Sequence, residues 1–186
     1  SIADPATFIS QASIAVGNRG MFWLNGTIFS VLGDTIYWAK TASQTSGSLG
    51  PIANDNQPVT FAASRTQLVI CSAKIPYLIV LATPTLSGAI TWPGVDIAAV
   101  AYCNTYFLFL ADAGNGFYYS EPGDANSGTA INLAVEETHA SKFRMILVVN
   151  NQPWLFGDLV IQPFYQTQDT ANPFLPNLSG AIPIGI

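Results

Sequence analysis

Charge is what this chain has least of. Only 9% of its 186 residues are Asp, Glu, Lys or Arg, against about 25% in an ordinary soluble domain. Six Lys and Arg against eleven Asp and Glu leave a net charge of -5, which excludes a basic stripe for gripping a nucleic-acid backbone. Histidine is almost missing: His139 stands alone in the polar run Glu136-Glu-Thr-His-Ala-Ser-Lys. A catalytic triad needs such a base beside a nucleophile, and no Gly-x-Ser-x-Gly elbow is present. The two cysteines, Cys71 and Cys103, are too few for a disulfide framework and, with one histidine, supply no zinc ligand set. They read as buried thiols. Long apolar runs are lacking as well: Tyr77–Ala82 and Met145–Val149 fall far short of the roughly 20 residues of a bilayer span. The opening Ser1-Ile-Ala-Asp-Pro has neither the basic head nor the apolar run of a secretory signal.

Apolar residues are abundant instead, at 49%. A chain this apolar and this weakly charged is expected to bury part of its surface against further copies or other proteins.

The apolar residues come in short β-branched and aromatic runs divided by turn residues, with little helical periodicity. Met21-Phe-Trp-Leu, Thr27-Ile-Phe-Ser-Val-Leu and Thr35-Ile-Tyr-Trp are separated by Asn25-Gly26 and Gly33-Asp34. Asn-Gly is a strong hairpin signal because both turn positions need positive φ. The same grammar returns at Val59–Ala63, Gln67–Ser72 and Tyr77–Ala82, then at Val95–Tyr102, Thr105–Ala111 and Gly116–Ser120. A fourth instance is Arg144–Val149, Gln152–Phe156 and Leu159–Tyr165. Central strands starting at Ile28, Leu68, Tyr106 and Trp154 are separated by 40, 38 and 48 residues, close to the length of a propeller blade. The first and fourth units share a turn, Val31-Leu-Gly-Asp and Leu155-Phe-Gly-Asp.

The fold expected is therefore all-β and β-propeller-like, with antiparallel blades of about 40 residues; a β-sandwich is the alternative. Thr41–Asn56, Thr83–Gly94 and Glu121–Gly128, rich in Ser, Thr, Gly, Pro and Asn, read as loops. Leu133-Ala-Val-Glu-Glu reads as a turn or two of helix, and the chain beyond Gln166 as an extended tail. Residues 1–18 read as an N-terminal extension to a domain over 19–186.

Candidate chemistry is sparse. Glu136 and Glu137 are neighbours, and on a strand they would face opposite ways. Asp34 and Asp158 follow glycine in hairpin turns, where Asp serves the turn. Asp112-Ala-Gly-Asn-Gly and Asp124-Ala-Asn-Ser-Gly space oxygen donors alternately but lack the distal Glu of a calcium loop, and both read as turns. Trp23, Trp38, Tyr106, Phe107, Phe109 and Trp154 fall within strand patterns and are expected in the core.

The order of these segments resembles the bacteriophage packaged-DNA stabilisation proteins, also called tail accessory or tail-hub plug proteins. The likeness is carried by Arg19-Gly20 leading a strand, Gly33-Asp34 with Tyr37, and Tyr102-Cys-Asn-Thr-Tyr-Phe107. It continues through Phe117-Tyr-Tyr-Ser120 to its most specific stretch, Pro153 followed by Trp154, Leu155, Phe156 and Gly157. Asn172 with Pro173 and Phe174, then Gly180-Ala-Ile, close it. It spans residues 19–185, nearly the whole chain.

The resemblance implies a β-propeller assembled as a ring below the portal, closing the tail channel after packaging. It implies a structural virion protein, assembled in the host cytoplasm, with no catalysis and no cofactor. Its partners would be copies of itself and other tail or portal proteins, without a membrane span and without strong direct nucleic-acid binding. An acidic conduit repels phosphate and does not stick to it. Members of the family are usually more than twice this long, so the chain corresponds to part of a longer propeller or to a shorter relative that completes its ring by oligomerising. The acidic residue common after the Leu-Phe-Gly segment is here Gln162. A glycan-binding or glycan-cleaving tail module is the alternative function; cleavage would need two carboxylates about 5–9 Å apart.

Overall fold

The computed structural model describes residues 17–129, 133–135 and 141–183. Four antiparallel sheets follow one another along the chain, each an up-and-down meander. The first holds β1 (Asn18–Leu24), β2 (Thr27–Leu32), β3 (Thr35–Lys40) and β4 (Thr45–Pro51); the second holds β5 (Thr60–Ala63), β6 (Gln67–Ser72), β7 (Ile75–Val80) and β8 (Thr85–Ala89). The third holds β9 (Ile97–Cys103), β10 (Tyr106–Ala111), β11 (Gly116–Tyr119) and β12 (Leu133–Val135). The fourth holds β13 (Phe143–Val149), β14 (Gln152–Gly157), β15 (Val160–Gln166) and β16 (Phe174–Pro176), with β17 (Ile182–Pro183) on the other half of β15.

The hairpins form where the sequence tolerates positive φ. Asn25 and Gly26 adopt φ 48 and 75, and Asn150 and Asn151 adopt 50 and 59, the twist that two-residue hairpins require. The turn from β6 to β7 is different: Ala73 and Lys74 take φ 48 and 66 without Gly or Asn. That strained geometry persists because it is tied down: the Lys74 carbonyl accepts the Ile97 amide at 2.9 Å, across to the next sheet.

Each sheet presses one face onto the next. Three separate cores result. Phe29, Val31, Ile36 and Ile52 of the first unit meet Val59, Leu68, Ile70 and Ile79 of the second. Val69, Cys71 and Leu78 meet Ile97, Phe107 and Phe109. Leu108, Leu110 and Phe117 meet Phe143, Ile146, Leu155 and Phe164. All six residues of β10 are buried because alternate side chains feed different cores: Phe107 and Phe109 point one way, Leu108 and Leu110 the other. A continuous apolar run is what a strand covered on both faces demands. The first strands β1, β5, β9 and β13 run as neighbours in chain order, and the Val100 amide of β9 donates to Thr60 Oγ1 of β5 at 3.1 Å. This is the blade arrangement of a propeller, and it replaces the sandwich alternative: four sheets with three cores, where a sandwich has two sheets and one.

Three expectations need correction. Thr45–Pro51 and Thr85–Ala89 are outer strands, not loop. Their Ser, Thr and Gly composition reflects an edge facing solvent, and glycine bulges at Gly50 and Gly88 (φ 126 and 109) break the edge, a protection against edge-to-edge pairing. Leu133–Val135 is a strand, not helix, because it pairs with β11; Glu136, Glu137 and His139 lie outside the described residues. The tail beyond Gln166 is not merely extended: β16 and β17 divide the edge of β15 between them. All but the last two residues of the proposed 1–18 extension also lie outside the described residues. Among the described residues no helix is long and apolar enough to cross a membrane.

Candidate functional site

The residues singled out from the sequence gather at two blade junctions and on two open faces. At the first junction, Arg19 is the bulged residue of β1, skipped between the pairs Asn18–Leu32 and Gly20–Val31. A bulge re-aims a side chain, and here it sends a guanidinium into the seam. Its Nε donates to the Gln57 carbonyl at 2.8 Å, one terminal nitrogen to the Gly33 carbonyl at 2.9 Å and Ala53 at 3.3 Å, and the other to Asp55 Oδ1 at 2.7 Å. Arg19 is thus buried with all three nitrogens engaged, binding the β2–β3 turn to the linker between the first two blades. Only a forked, permanently charged donor set serves so many acceptors.

Its neighbours fit around that clamp. A Cβ on Gly20 would lie 2.8 Å from both Phe61 Cε2 and Val59 Cγ2, so the absent side chain lets Phe61 stack on Phe22 with ring centroids 5.4 Å apart. Gly33 takes φ 59 in the turn. Asp34 accepts Thr35 Oγ1 at 2.9 Å with its side chain, and the Ile52 amide with its carbonyl. Tyr37 is not part of this group: it lies on the far face of the first blade, opposite Ser30.

At the last junction, Leu155 is fully buried. Gly157 leaves room for Ser141 Oγ, which a Cβ would strike, and for Phe143. Pro173 and Phe174 are buried; the Phe174 ring meets Tyr106, Phe117 and Tyr119 at 5.4, 5.5 and 5.8 Å, locking β16 of the fourth blade onto the third. Gln162 is fully buried, its Nε2 donating to the Pro163 and Asn177 carbonyls at 2.8 Å each, while its Oε1 has no partner among the described residues. Trp154 and Phe156 stand apart from that junction: they are half-buried on the open face of the fourth blade, opposite Leu147 and Met145.

A second set of ties escaped sequence reasoning. Lys74 Nζ meets Asp112 Oδ2 at 2.8 Å and Asp96 Oδ2 at 3.7 Å, and Lys142 Nζ meets Asp112 Oδ1 at 3.7 Å. One carboxylate therefore joins cations from the second and fourth blades. The hydrogen bond from Lys74, reinforced by the Lys142 charge, holds the Asp112 carboxyl below its ordinary range. Arg144 donates Nε and a terminal nitrogen to Asp158 at 2.9 Å each, a two-point pair that likewise lowers the Asp158 carboxyl. Only the regular separation of Lys74 and Asp112 by 38 residues, one blade step, was available as a signal. The carboxylates weighed for calcium are spent on these contacts: Asp112 on lysines, Asp124 Oδ1 on Gln67 Nε2 and the Asn126 amide at 3.0 Å each.

Both thiols are buried, in different cores. Cys71 Sγ donates to the Ile97 carbonyl and Cys103 Sγ to that of Asn151, each at 3.2 Å. Burial, helped by the charge of Asp55, pushes Cys71 up to about 12; burial pushes Cys103 up to about 11. They are packing groups, poor nucleophiles. Of the aromatic residues expected in the core, Phe107 and Phe109 are fully buried, but Trp23 is 65% exposed.

Four-stranded meanders sharing faces around their first strands define a β-propeller architecture, with polar chemistry confined to holding blades together. The chain belongs to the phage stabilisation family described as "Bacteriophage P22 Gp10, beta-propeller", whose model matches residues 6–186; this is a family of phage structural proteins. No curated protein sequence matches significantly. Among solved structures, a chain of the computationally designed Ika8 protein is similar at 14% identity, covering 79% of this chain and 45% of that one, with a TM-score of 0.58. A chain of the mitotic checkpoint complex matches at 13% identity, over 77% and 44%, TM-score 0.58. One of Kuenenia stuttgartiensis hydrazine synthase matches at 9%, over 86% and 46%, TM-score 0.59. These likenesses concern the fold alone. The present chain spans less than half the length of each.

Proposed function

We propose that this chain is a structural part of the tail or portal-proximal assembly of a phage particle, contributing to an oligomeric ring or plug that closes the channel and retains packaged DNA, without catalysis or cofactor. The observation that carries this reading is the disposition of apolar surface within a family of phage structural proteins. The interior is filled by three cores, while the sheets at the two ends of the row leave apolar faces open, at Trp23 on one and Leu147 on the other. Large apolar patches of that kind mark surfaces built to meet protein.

Asp55, Asp112 and Asp158 are each held by a cation, which favours a structural role over a glycan-cleaving one, where two carboxylates must flank a substrate. The net charge of -5 suits a component that faces duplex DNA without adhering to it.

Electron microscopy of particles carrying a tagged copy tests the assignment. Density from the tag on the portal–tail axis supports it. A tag at fibre tips, or on the capsid shell, overturns it.

A further inference from the structure

Four of the six Lys and Arg side chains are spent on the chain's own carboxylates: Arg19 on Asp55, Lys74 and Lys142 on Asp112, and Arg144 on Asp158. Lys40 and Arg65 are not. Among the described residues neither meets a carboxylate, and Lys40 rests its ammonium 5.6 Å from the centre of the Trp38 ring.

Both line one cleft at the rim of the row. It holds about 380 Å³ between the first two blades, with Lys40 contributed by the first, Arg65 by the second, and an apolar lining from Leu24 and Leu81. Past Arg65 and Thr66 a second cleft of about 510 Å³ opens between the second and third blades, lined by Tyr102 and Asn104. No Asp or Glu lines either cleft, in a chain with eleven acidic residues against six basic ones.

Arg65 sits at the tip of a braced turn. Ser64 Oγ accepts the Thr66 and Gln67 amides at 3.2 and 3.0 Å. Gln67 donates Nε2 to Asp124 at 3.0 Å and accepts the Ala125 amide at 2.8 Å, so the third blade fixes the turn. A cation on backbone that is already ordered binds an anion at lower entropic cost.

The chemistry of the walls selects the occupant. An unpaired guanidinium presents a planar fork that matches a carboxylate, and the apolar lining accepts an aliphatic neighbour. A nucleic-acid backbone fits less well. It carries one charge per about 1.7 Å, whereas the rim offers two cations and exposes Glu121 and Asp124 on the turn next to them. A small ligand would be mostly enclosed, and both clefts are open to solvent. Further blades would pack on the open sheet faces at the ends of the row. These clefts open at the rim between sheets already packed together, so continuation of the row leaves them uncovered.

We propose that the two clefts form one docking groove for an extended acidic segment of another protein, in which carboxylate and apolar side chains alternate. Arg65 grips a carboxylate, and Leu24 and Leu81 receive the apolar side chains that point the other way. The proposal goes beyond the virion role and is read separately from it, on the purified chain in solution.

Amide shifts of the nitrogen-15-labelled 186-residue chain are followed while acetyl-Leu-Glu-Leu-Glu-Leu-amide is added. Saturable movement of the Gly26, Ser43, Arg65 and Thr66 amides is expected, weakening as salt rises. Arg65→Ser is expected to reduce the affinity about tenfold. The Arg65 side chain is exposed and makes no hydrogen bond among the described residues, so the variant is expected to keep the wild-type spectrum elsewhere. The peptide with Gln in place of Glu is expected not to bind. No saturable movement up to the solubility of the peptide, equal binding of the Gln peptide, or unchanged affinity in Arg65→Ser overturns the proposal. A short DNA duplex that moves the same amides at lower concentration than the peptide overturns it too, and makes the groove a nucleic-acid site.

Discussion

Lys74 and Asp112 lie one blade apart in sequence and in contact in space, Nζ to Oδ2 at 2.8 Å, and the other oxygen of the same carboxylate faces Lys142 at 3.7 Å. Three blades are thereby connected at one rim by a single acidic side chain. The pairs are open to solvent, so the network adds only a small, salt-screened stabilisation. Because the folded state holds the Asp112 carboxyl below its ordinary range, this stabilisation is present above the unfolded carboxylate value of about 4 and is lost as pH falls through the folded one. Asp112→Asn is therefore expected to lower the melting temperature slightly at pH 7 and to approach the wild type as the pH falls below the unfolded carboxylate value and through the folded one. Scanning calorimetry across that range checks it; a gap that persists at low pH would contradict the linkage.

Arg19 makes a stronger prediction, because its guanidinium is buried and the Gly33 carbonyl it meets is buried with it. Arg19→Met should destabilise by about 1–3 kcal/mol, chiefly through the buried Gly33 carbonyl left without its donor, since the Ala53 carbonyl keeps the Ser72 hydroxyl. Arg19→Lys should recover little of this, since an ammonium is one compact centre and cannot reach acceptors spread around three separate nitrogens. Urea unfolding of both variants measures the difference, and full recovery by lysine would show that charge alone matters.

Much of the fold is legible in sequence because the same physics repeats. Asn25-Gly26 names its turn, and the unbroken apolar run of β10 names a strand covered on both faces. What could not be read was whatever depends on a neighbour. The outer strands, such as Thr45–Pro51, carry Ser and Gly because only one edge is paired, and in sequence that is indistinguishable from loop. Trp23 fits a core pattern, yet it projects from the face of its blade that no other sheet covers among the described residues. Ala73-Lys74 lacks every turn residue; its geometry is held by Ile97 from the next blade. Of the motif residues, Arg19 and Gly33 do meet, through a direct hydrogen bond, whereas Tyr37 and Trp154 lie at opposite ends of the row. The motif order is therefore a record of blade junctions and faces, and not of one pocket.

Gly157 and Gly114 form a matched pair of substitutions. A Cβ at Gly157 would collide with Ser141 Oγ and approach Phe143 Cδ1 to 2.9 Å, while at Gly114 it would meet only Ala111 Cβ, at an ordinary 3.5 Å. Gly157→Ala should cost about 1–3 kcal/mol as an overpacked seam, and Gly114→Ala should stay within about 0.5 kcal/mol of wild type. Thermal melts of the two variants suffice; equal effects would mean that the last junction yields to a methyl group.

The thiols predict the alkaline limit. Unfolded cysteines ionise near the ordinary value of 9, while the folded protein keeps Cys71 protonated to about 12 and Cys103 to about 11. Stability from these groups is complete below pH 9 and falls as pH rises through that interval. Burial also raises Tyr102 and Tyr119, in the same direction, so the diagnostic is the difference between Cys71→Ala and wild type, which should narrow with rising pH. At pH 8 neither thiol should react with a disulfide reagent until urea is added; fast labelling of the native chain would contradict their burial.

The proposed role in closing the channel is tested most directly by the genome content of particles assembled without this chain. Nuclease-protected DNA is measured in the heads immediately after packaging and again after storage. A plug predicts heads that fill normally and then lose their DNA, with retention restored when the purified protein is added. Heads that hold their genome equally well with and without the chain would contradict it.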